Sequence, residues 1–260
     1  MRQDRARLER IKARLHAMSA GDKNAHANTR EIDVERARYT TQSYRETEGQ
    51  PMPIRRAKVL LHLVRRMSIA IYPDELIVSN RALLPRMGVI APEGAVNWVD
   101  QELDTLPTRP QDKFSIRPEQ IRELREEIFP YWRGSDSGRG KTLEDVVAAR
   151  LPEDVKQAVR DKIFSLNQTD HAQGHILPDV ESWLHLGIAG LRDKVEAAQS
   201  QAEVQTKEQQ VFYEAAHIAL QAAQKFIRRY AEMARCMARD SQETTRKQEL
   251  ARIAAICDWL

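Results

Sequence analysis

Apolar residues recur three and four positions apart along most of this chain, the period of a helix that buries one face. Leu8, Ile11, Leu15 and Met18 predict a helix over residues 2–18. The polar run 19–29 breaks that pattern and reads as a mobile linker. A second helix starts near Asp33 with Val34, Ala37 and Thr41 on one face, and Gly49, Pro51 and Pro53 stop it. Ile54, Ala57, Leu60, Leu61 and Val64 form the stripe of a third, over 54–67. The same period predicts helices over 93–106, 118–129, 142–150 with Thr142 as cap, 152–165, 182–198, roughly 204–239, and from Thr244 onward. Gly187 and Gly190 read as points of close helix packing. Only 67–72 and 76–78 carry the β-branched, alternating pattern of short strands. Residues 133–141 are Gly- and Ser-rich and read as a flexible surface insertion. The fold class is mainly α, with a few short strands.

One stretch departs from this regularity. Between Ile163 and Leu191, the polar residues Asn167, Gln168, Thr169, Asp170, His171, Gln173 and His175 crowd into nine positions. An apolar lead-in precedes them and a helix signal follows, with Pro178, Asp179 and Glu181 suited to the helix N-terminus. Such a cluster is either a helix-capping loop or the wall of a site. His171 and His175 stand four apart, but Gly174 and Pro178 argue against a regular helix there, so no metal site is assigned. Gly138 to Thr142 resembles a phosphate loop only superficially, because the first glycine and the preceding strand are missing. Asp74 and Glu75 are adjacent in a turn and do not face one another. Arg81 after Asn80 is a candidate for an anionic substrate, set against a plain ion pair that holds the loop.

Composition narrows the picture. Forty-one basic and 38 acidic side chains leave a net charge of +3. They interleave at helical spacing, as on Arg122, Glu123, Arg125, Glu126 and Glu127, so no basic stripe for nucleic acid stands out. No long apolar run suggests a membrane span, and the charged N-terminus lacks the apolar core of a signal peptide. The two cysteines, Cys236 and Cys257, make no disulfide framework. A cytoplasmic protein is expected.

The wording of the chain is similar to the N-terminal part of the pyruvate formate-lyase-like glycyl radical enzymes. The similar runs are NTREIDVERA, TQSYRETEG, RRAKVLLHLV, PDELIVSNR, PEGAVNWVDQELD, TRPQDKF, IFPYWRG and the stretch from Ile163 to Leu191. Within the family the chain resembles the branch named for formate acetyltransferase. The resemblance implies the helical N-terminal part of a ten-stranded α/β barrel, with residues 1–27 as an appended helix and linker and 28–260 as the first part of the family domain. It implies a substrate-contacting side chain from the polar stretch, with Gln173 first, then Thr169 and Asp170, and with His175 and Asp179 in the framework. Gln173 suits a small hydroxylated or carboxylated substrate because its amide both donates and accepts.

Neither cysteine stands two before a glutamate, as the family's thiyl cysteine does, and none of the ten glycines has the radical-bearing context. No catalytic residue is therefore assigned. The chain is expected to be truncated, because its last helix ends on Asp258, Trp259 and Leu260 without a cap. The implied parent activity is formate acetyltransferase. The alternatives are a glycyl radical dehydratase or carbon–heteroatom lyase for a small polyol or sulfonate, and a non-catalytic helical interaction module. The resemblance also implies a small-molecule substrate, a radical S-adenosylmethionine activating enzyme, and a missing C-terminal half or a homodimer.

Overall fold

The structure, a computed structural model, describes residues 2–17, 30–80, 82–83, 87–110, 113–163, 178–201 and 205–260. The linker read over 19–29 lies outside them. Among the described residues the protein is mainly helical. In chain order the elements are α1 (Arg2–Ala17), β1 (Ile32–Asp33), α2 (Glu35–Glu46), α3 (Met52–Arg66), β2 (Gly88–Val89), α4 (Asn97–Glu102) and α5 (Pro118–Glu123). A π-turn (Leu124–Ile128) leads into α6 (Phe129–Arg133), followed by α7 (Leu143–Arg150), α8 (Glu153–Arg160), α9 (Val180–Gln201), α10 (Lys207–Asp240) and α11 (Thr244–Trp259).

The strands are not where alternation placed them. β1 and β2 pair in parallel, Ile32 opposite Gly88 and Asp33 opposite Val89. Gly88 permits this approach, because a Cβ there would lie 3.0 Å from Ile32 Cδ1 and 3.1 Å from the Phe114 ring. Ser115 extends the pairing on the other side, its carbonyl accepting from the Ile32 amide at 2.9 Å. Segments 67–72 and 76–78 form no strand; nothing among the described residues offers them a ladder.

Two apolar clusters make the core. The first gathers Ile32, Val34, Ala37, Tyr44, Val59, Leu63, Val96, Leu103, Leu124, Phe129 and Trp132. Trp132 lies at its centre, edge-on to Tyr44 and Tyr131 with ring centroids 4.9 and 5.2 Å away. Its indole N–H donates to Thr41 Oγ1 at 2.8 Å, and that hydroxyl donates to the Ala37 carbonyl at 2.8 Å. The helix expected to stop before Pro130 continues to Gly134. Proline has no N–H and crowds the carbonyl four residues back in a regular helix. The wider π-turn immediately before α6 accommodates it. The helix expected over 93–106 is shorter than its pattern, with α4 ending at Glu102 and turns following.

Residues 133–141, expected to be a flexible tip, are closed by hydrogen bonds. Gly134, at φ +73°, ends α6. The amides of Ser135, Gly138 and Lys141 donate to the carbonyls of Pro130, Gly134 and Trp132. Lys141 pairs with Asp136 at 2.9 Å and lies over the Tyr131 ring. Burial, then the hydrogen bond to Glu48, pushes the Tyr131 hydroxyl up to about 12. Thr142 caps α7 as expected: its hydroxyl accepts from the Asp145 amide, and Asp145 accepts from the Thr142 amide. The Asp145 carboxylate fills the space a Cβ would need at Gly140, which suits a cap and opposes a phosphate.

The second cluster joins Ile71 to Tyr230, Ala234 and Ala238 of α10 and to Leu250, Ile253 and Ala254 of α11. α3 packs between the two clusters, so its buried set is broader than one stripe. It includes Val59, His62 and Leu63, while Leu60, expected inward, is 43% exposed. α10 and α11 bury Leu220, Tyr230, Ala234, Leu250 and Ile253 and leave Phe212, Ile256 and Trp259 exposed. Gly187 is a break in α9 (φ +61°, ψ −172°) with open space around it, rather than a packing contact.

α1 keeps only part of its expected inward stripe, Ile11 being half-buried. Leu8 is 49% exposed, and the helix meets the protein through Arg7, Arg10 and Arg14, which share one face. Arg7 pairs with Glu249, Arg10 Nε donates to Asp74 at 3.1 Å, and Arg14 donates to the Pro73 carbonyl at 2.6 Å and stacks over Tyr72.

An ion cluster between α4 and α5–α6 provides a pH test. Asp100 accepts from Arg125 Nε and Arg133 Nη2, both at 2.6 Å. Burial raises its carboxyl, but the two arginines outweigh that and hold it below the ordinary 3.8. A depressed folded-state pKa means that the contribution is complete above 3.8 and is lost as pH falls through the folded value. Asp100→Asn is expected to lower stability by about 1 kcal/mol at pH 7, the pair being part-exposed. Urea titrations should find variant and parent converging near pH 2. A gap that stays constant with pH would remove Asp100 from the acid response.

Candidate functional site

Thr169, Asp170, Gln173 and His175, with Arg81, all lie outside the described residues. The described structure fixes what flanks them: the first flank is held by groups that the sequence did not single out, the second by Asp179, which it did.

The first flank is the run from the end of α3 to Asn80. Arg229 of α10 donates to the carbonyls of Val64 at 2.6 Å and Met67 at 2.7 Å, capping α3. Arg246 of α11 donates to the carbonyls of Tyr72 at 3.0 Å and Glu75 at 2.8 Å. Asp74 and Glu75 serve separate partners, as their adjacency implies. Asp74, at φ +69°, meets Arg10, whose hydrogen bond holds its carboxyl below the usual range. Glu75 accepts from the Tyr72 amide at 2.8 Å. The Asn80 amide donates to the hydroxyl of buried Tyr230 at 3.1 Å, so the residue before Arg81 is tied to α10. Burial raises the Tyr230 hydroxyl, which stays neutral. Arginines 229 and 246 went unread because one arginine beside an apolar stripe looks like any solvated helix position.

The second flank is the start of α9. Asp179 accepts from the Ser182 amide at 3.0 Å, and the hydrogen bonds of Ser182 lower its carboxyl. Asp179 thus holds a helix start. Pro92 is fully buried, and Glu93 accepts from Arg36 Nη1 at 3.1 Å.

Two of the cavities on the described surface lie near charged or aromatic groups. One of about 280 Å³ lies between β2 and α4, lined by Ile32, Ile90, Ala95, Trp98 and Phe114, with the Glu102–Arg109 pair at 2.9 Å beside it. Another of about 760 Å³ lies between α1 and the α10–α11 turn, where Arg7, Arg10 and Arg246 face Asp74, Asp240, Glu243 and Glu249. Neither joins a nucleophile to a base, so neither has the parts of a covalent or acid–base site. No helix among the described residues is long and apolar enough to cross a membrane.

Residues 5–260 match the model of the pyruvate formate lyase-like family. The chain belongs to that family. It is 33% identical over 246 residues to isethionate sulfite-lyase of Nitratidesulfovibrio vulgaris, covering 90% of this chain and 29% of that enzyme. Among solved structures it resembles the glycerol-bound form of the B12-independent glycerol dehydratase from Clostridium butyricum, with TM-score 0.85, 29% identity, 97% of this chain and 30% of that one. It also resembles a glycyl radical enzyme from Archaeoglobus fulgidus, with TM-score 0.80 and 29% identity over 96% of this chain and 30% of that one. The chain thus spans about three-tenths of these relatives' length. Its mainly helical build is that of the N-terminal portion of the glycyl radical enzyme fold.

Proposed function

We propose that these residues supply one wall of the substrate site in a glycyl radical dehydratase or carbon–heteroatom lyase. The substrate is a small polyol or hydroxylated sulfonate. The observation that carries this reading is the overlap of almost the whole chain with a glycerol dehydratase, joined to its identity with a sulfite-lyase. Acyl transfer to coenzyme A, the formate acetyltransferase reading, finds no support in these relatives. The chain has neither the thiyl cysteine nor the radical glycine context, so the 260 residues carry out no reaction alone. The radical is installed by a radical S-adenosylmethionine activating enzyme, a partner of the complete enzyme.

In this reading Gln173 contacts the substrate's hydroxyl or sulfonate oxygens, with Thr169, Asp170 and His175 beside it, and Arg81 pairs with an anionic group. Tyr230, Arg229 and Arg246 are positioning residues for the segment that carries Arg81.

The test is an anaerobic assay of the intact gene product, incubated with an activating enzyme, against glycerol, 1,2-propanediol, isethionate, and pyruvate with coenzyme A. Turnover of a diol or of isethionate is expected. Gln173→Ala should then lose roughly ten- to hundredfold in kcat/KM, the range for leaving one buried polar group unpaired. Turnover of pyruvate alone would overturn the substrate class. A glycyl radical signal without effect of the Gln173 change would remove that residue from the site.

A further inference from the structure

α9 and α10 run antiparallel and are joined by two polar cross-links. Arg192 Nη2 donates to Gln224 Oε1 at 3.4 Å, and Gln199 Oε1 accepts from His217 Nε2 at 3.1 Å. On each helix the two members stand seven residues apart, about 10.5 Å along the axis. The cross-links thus frame two helical turns. Within that frame lies a groove of about 390 Å³, lined by Arg192, His217, Ile218, Gln221 and Gln224. The charge in it is unbalanced, because none of these described residues carries a carboxylate. Asp193 and Glu196 of α9 are exposed and line no part of it. Arg192 is half-buried, and its described hydrogen bond goes to a neutral amide at the outer limit of length. The cavity beneath α1, by contrast, sets its three arginines against four carboxylates. Gln221 has no bonding partner among the described residues. Gln224 accepts through its oxygen, so its NH2 group remains to donate.

We propose that the groove between α9 and α10 binds the oxoanion head of a small organic phosphate or sulfonate. Arg192 supplies the charge, and Gln221 and Gln224 supply amide donors. Three donor groups suit the three terminal oxygens of such a head. The planar guanidinium can take two of them at once. A cation would be repelled by Arg192, and a neutral molecule would leave that charge without a counterpart. The volume exceeds what a bare anion fills and falls in the range of small-molecule sites. Ile218 offers the remaining space an apolar wall, which suits a short carbon body. Phosphate esters and sulfonates share the tetrahedral head, so the groove's chemistry admits both. The groove consists of α9 and α10 alone, and this inference does not rest on the substrate proposed above.

The test is isothermal titration calorimetry of the 260-residue protein, with ionic strength held constant by chloride. Inorganic phosphate is the first probe, followed by glycerol 3-phosphate and isethionate. One site per chain is expected, with a dissociation constant on the order of 1 mM. Tighter binding of glycerol 3-phosphate than of isethionate would name phosphate esters as the ligand class, and the reverse order would name sulfonates. Arg192→Gln should weaken phosphate binding at least about tenfold, and Arg192→Lys, which keeps the charge, should lose less. Gln221→Ala should weaken it about threefold. Its side chain is exposed and without a described partner, so this variant keeps its melting temperature and serves if Arg192→Gln fails to fold. Arg117→Gln, before α5, should change nothing. Affinity equal to the parent's in Arg192→Gln or in Gln221→Ala would overturn the proposal. So would an equal loss in Arg117→Gln, or the absence of saturation up to about 50 mM of all three probes.

Discussion

Trp132→Ala is expected to cost about 3–5 kcal/mol, the range for deleting a fully buried tryptophan. Its indole fills the centre of the first cluster at 1% exposure, against Tyr44 and Tyr131, and donates to Thr41. Removing it opens a cavity bounded by α2 and by the π-turn and α6. Those elements are held by the π-turn and by Gly134, so they cannot close in fully. Urea unfolding followed by far-UV circular dichroism measures the loss. Trp132→Phe separates the contributions. It keeps most ring contact and removes one hydrogen bond, worth about 1 kcal/mol, while Thr41 retains its bond to Ala37. If Trp132→Ala lost less than about 1 kcal/mol, the cluster would not depend on this residue.

Gly134→Val is expected to cost about 3 kcal/mol, from two separate sources. The position lies at φ +73°, where a β-branched residue is strained. A Cβ there would also sit 1.9 Å from the Arg139 carbonyl oxygen, a backbone atom that cannot swing aside. The 134–141 turn must therefore open, losing the Gly138 to Gly134 and Lys141 to Trp132 hydrogen bonds. Limited proteolysis within 134–141 should become faster in the variant, and thermal unfolding should shift down. Gly138→Ala, at a site also with positive φ but with no atom within 4 Å of a Cβ, supplies the comparison. It should cost about 1 kcal/mol. Equal losses at the two positions would show that backbone conformation alone, and not the contact with Arg139, sets the effect.

These residues also mark how far the sequence could be read. The helices α2, α3, α10 and α11 were legible because each buries an apolar face, and Thr142 was legible as a cap because Thr followed three later by Asp is a local signal. The mainly helical class and the family resemblance needed no coordinates. β1 and β2 were not legible: two residues cannot display an alternation, and what sets them side by side is the absence of a side chain at Gly88. The π-turn escaped because the sequence marks only Pro130, and a proline can either stop a helix or widen it. The exposure of Leu8 on α1 was not legible because arginines and apolar residues recur there at one period, and Asp74, Glu249 and the Pro73 carbonyl draw Arg7, Arg10 and Arg14 inward. The sequence marks a candidate site as a polar stretch and an arginine, all of them outside the described residues. The supports of the flank before Arg81 were not legible, because Arg229, Tyr230 and Arg246 act from 150 residues or more further along the chain.

The arginine face of α1 makes this helix differ from the rest of the molecule in what holds it down. Its described contacts are guanidinium groups on carboxylates, a carbonyl and a ring, with Leu8 left in water. Coulomb attraction of part-exposed charges is cut by mobile ions, whose screening length shrinks from about 10 Å at 0.1 M to about 3 Å at 1 M. Burial of apolar surface is strengthened by excluded salts such as sulfate. One concentrated ammonium sulfate solution therefore acts on the two ends of this protein with opposite sign, loosening the first helix while tightening the α10–α11 pair on which it rests.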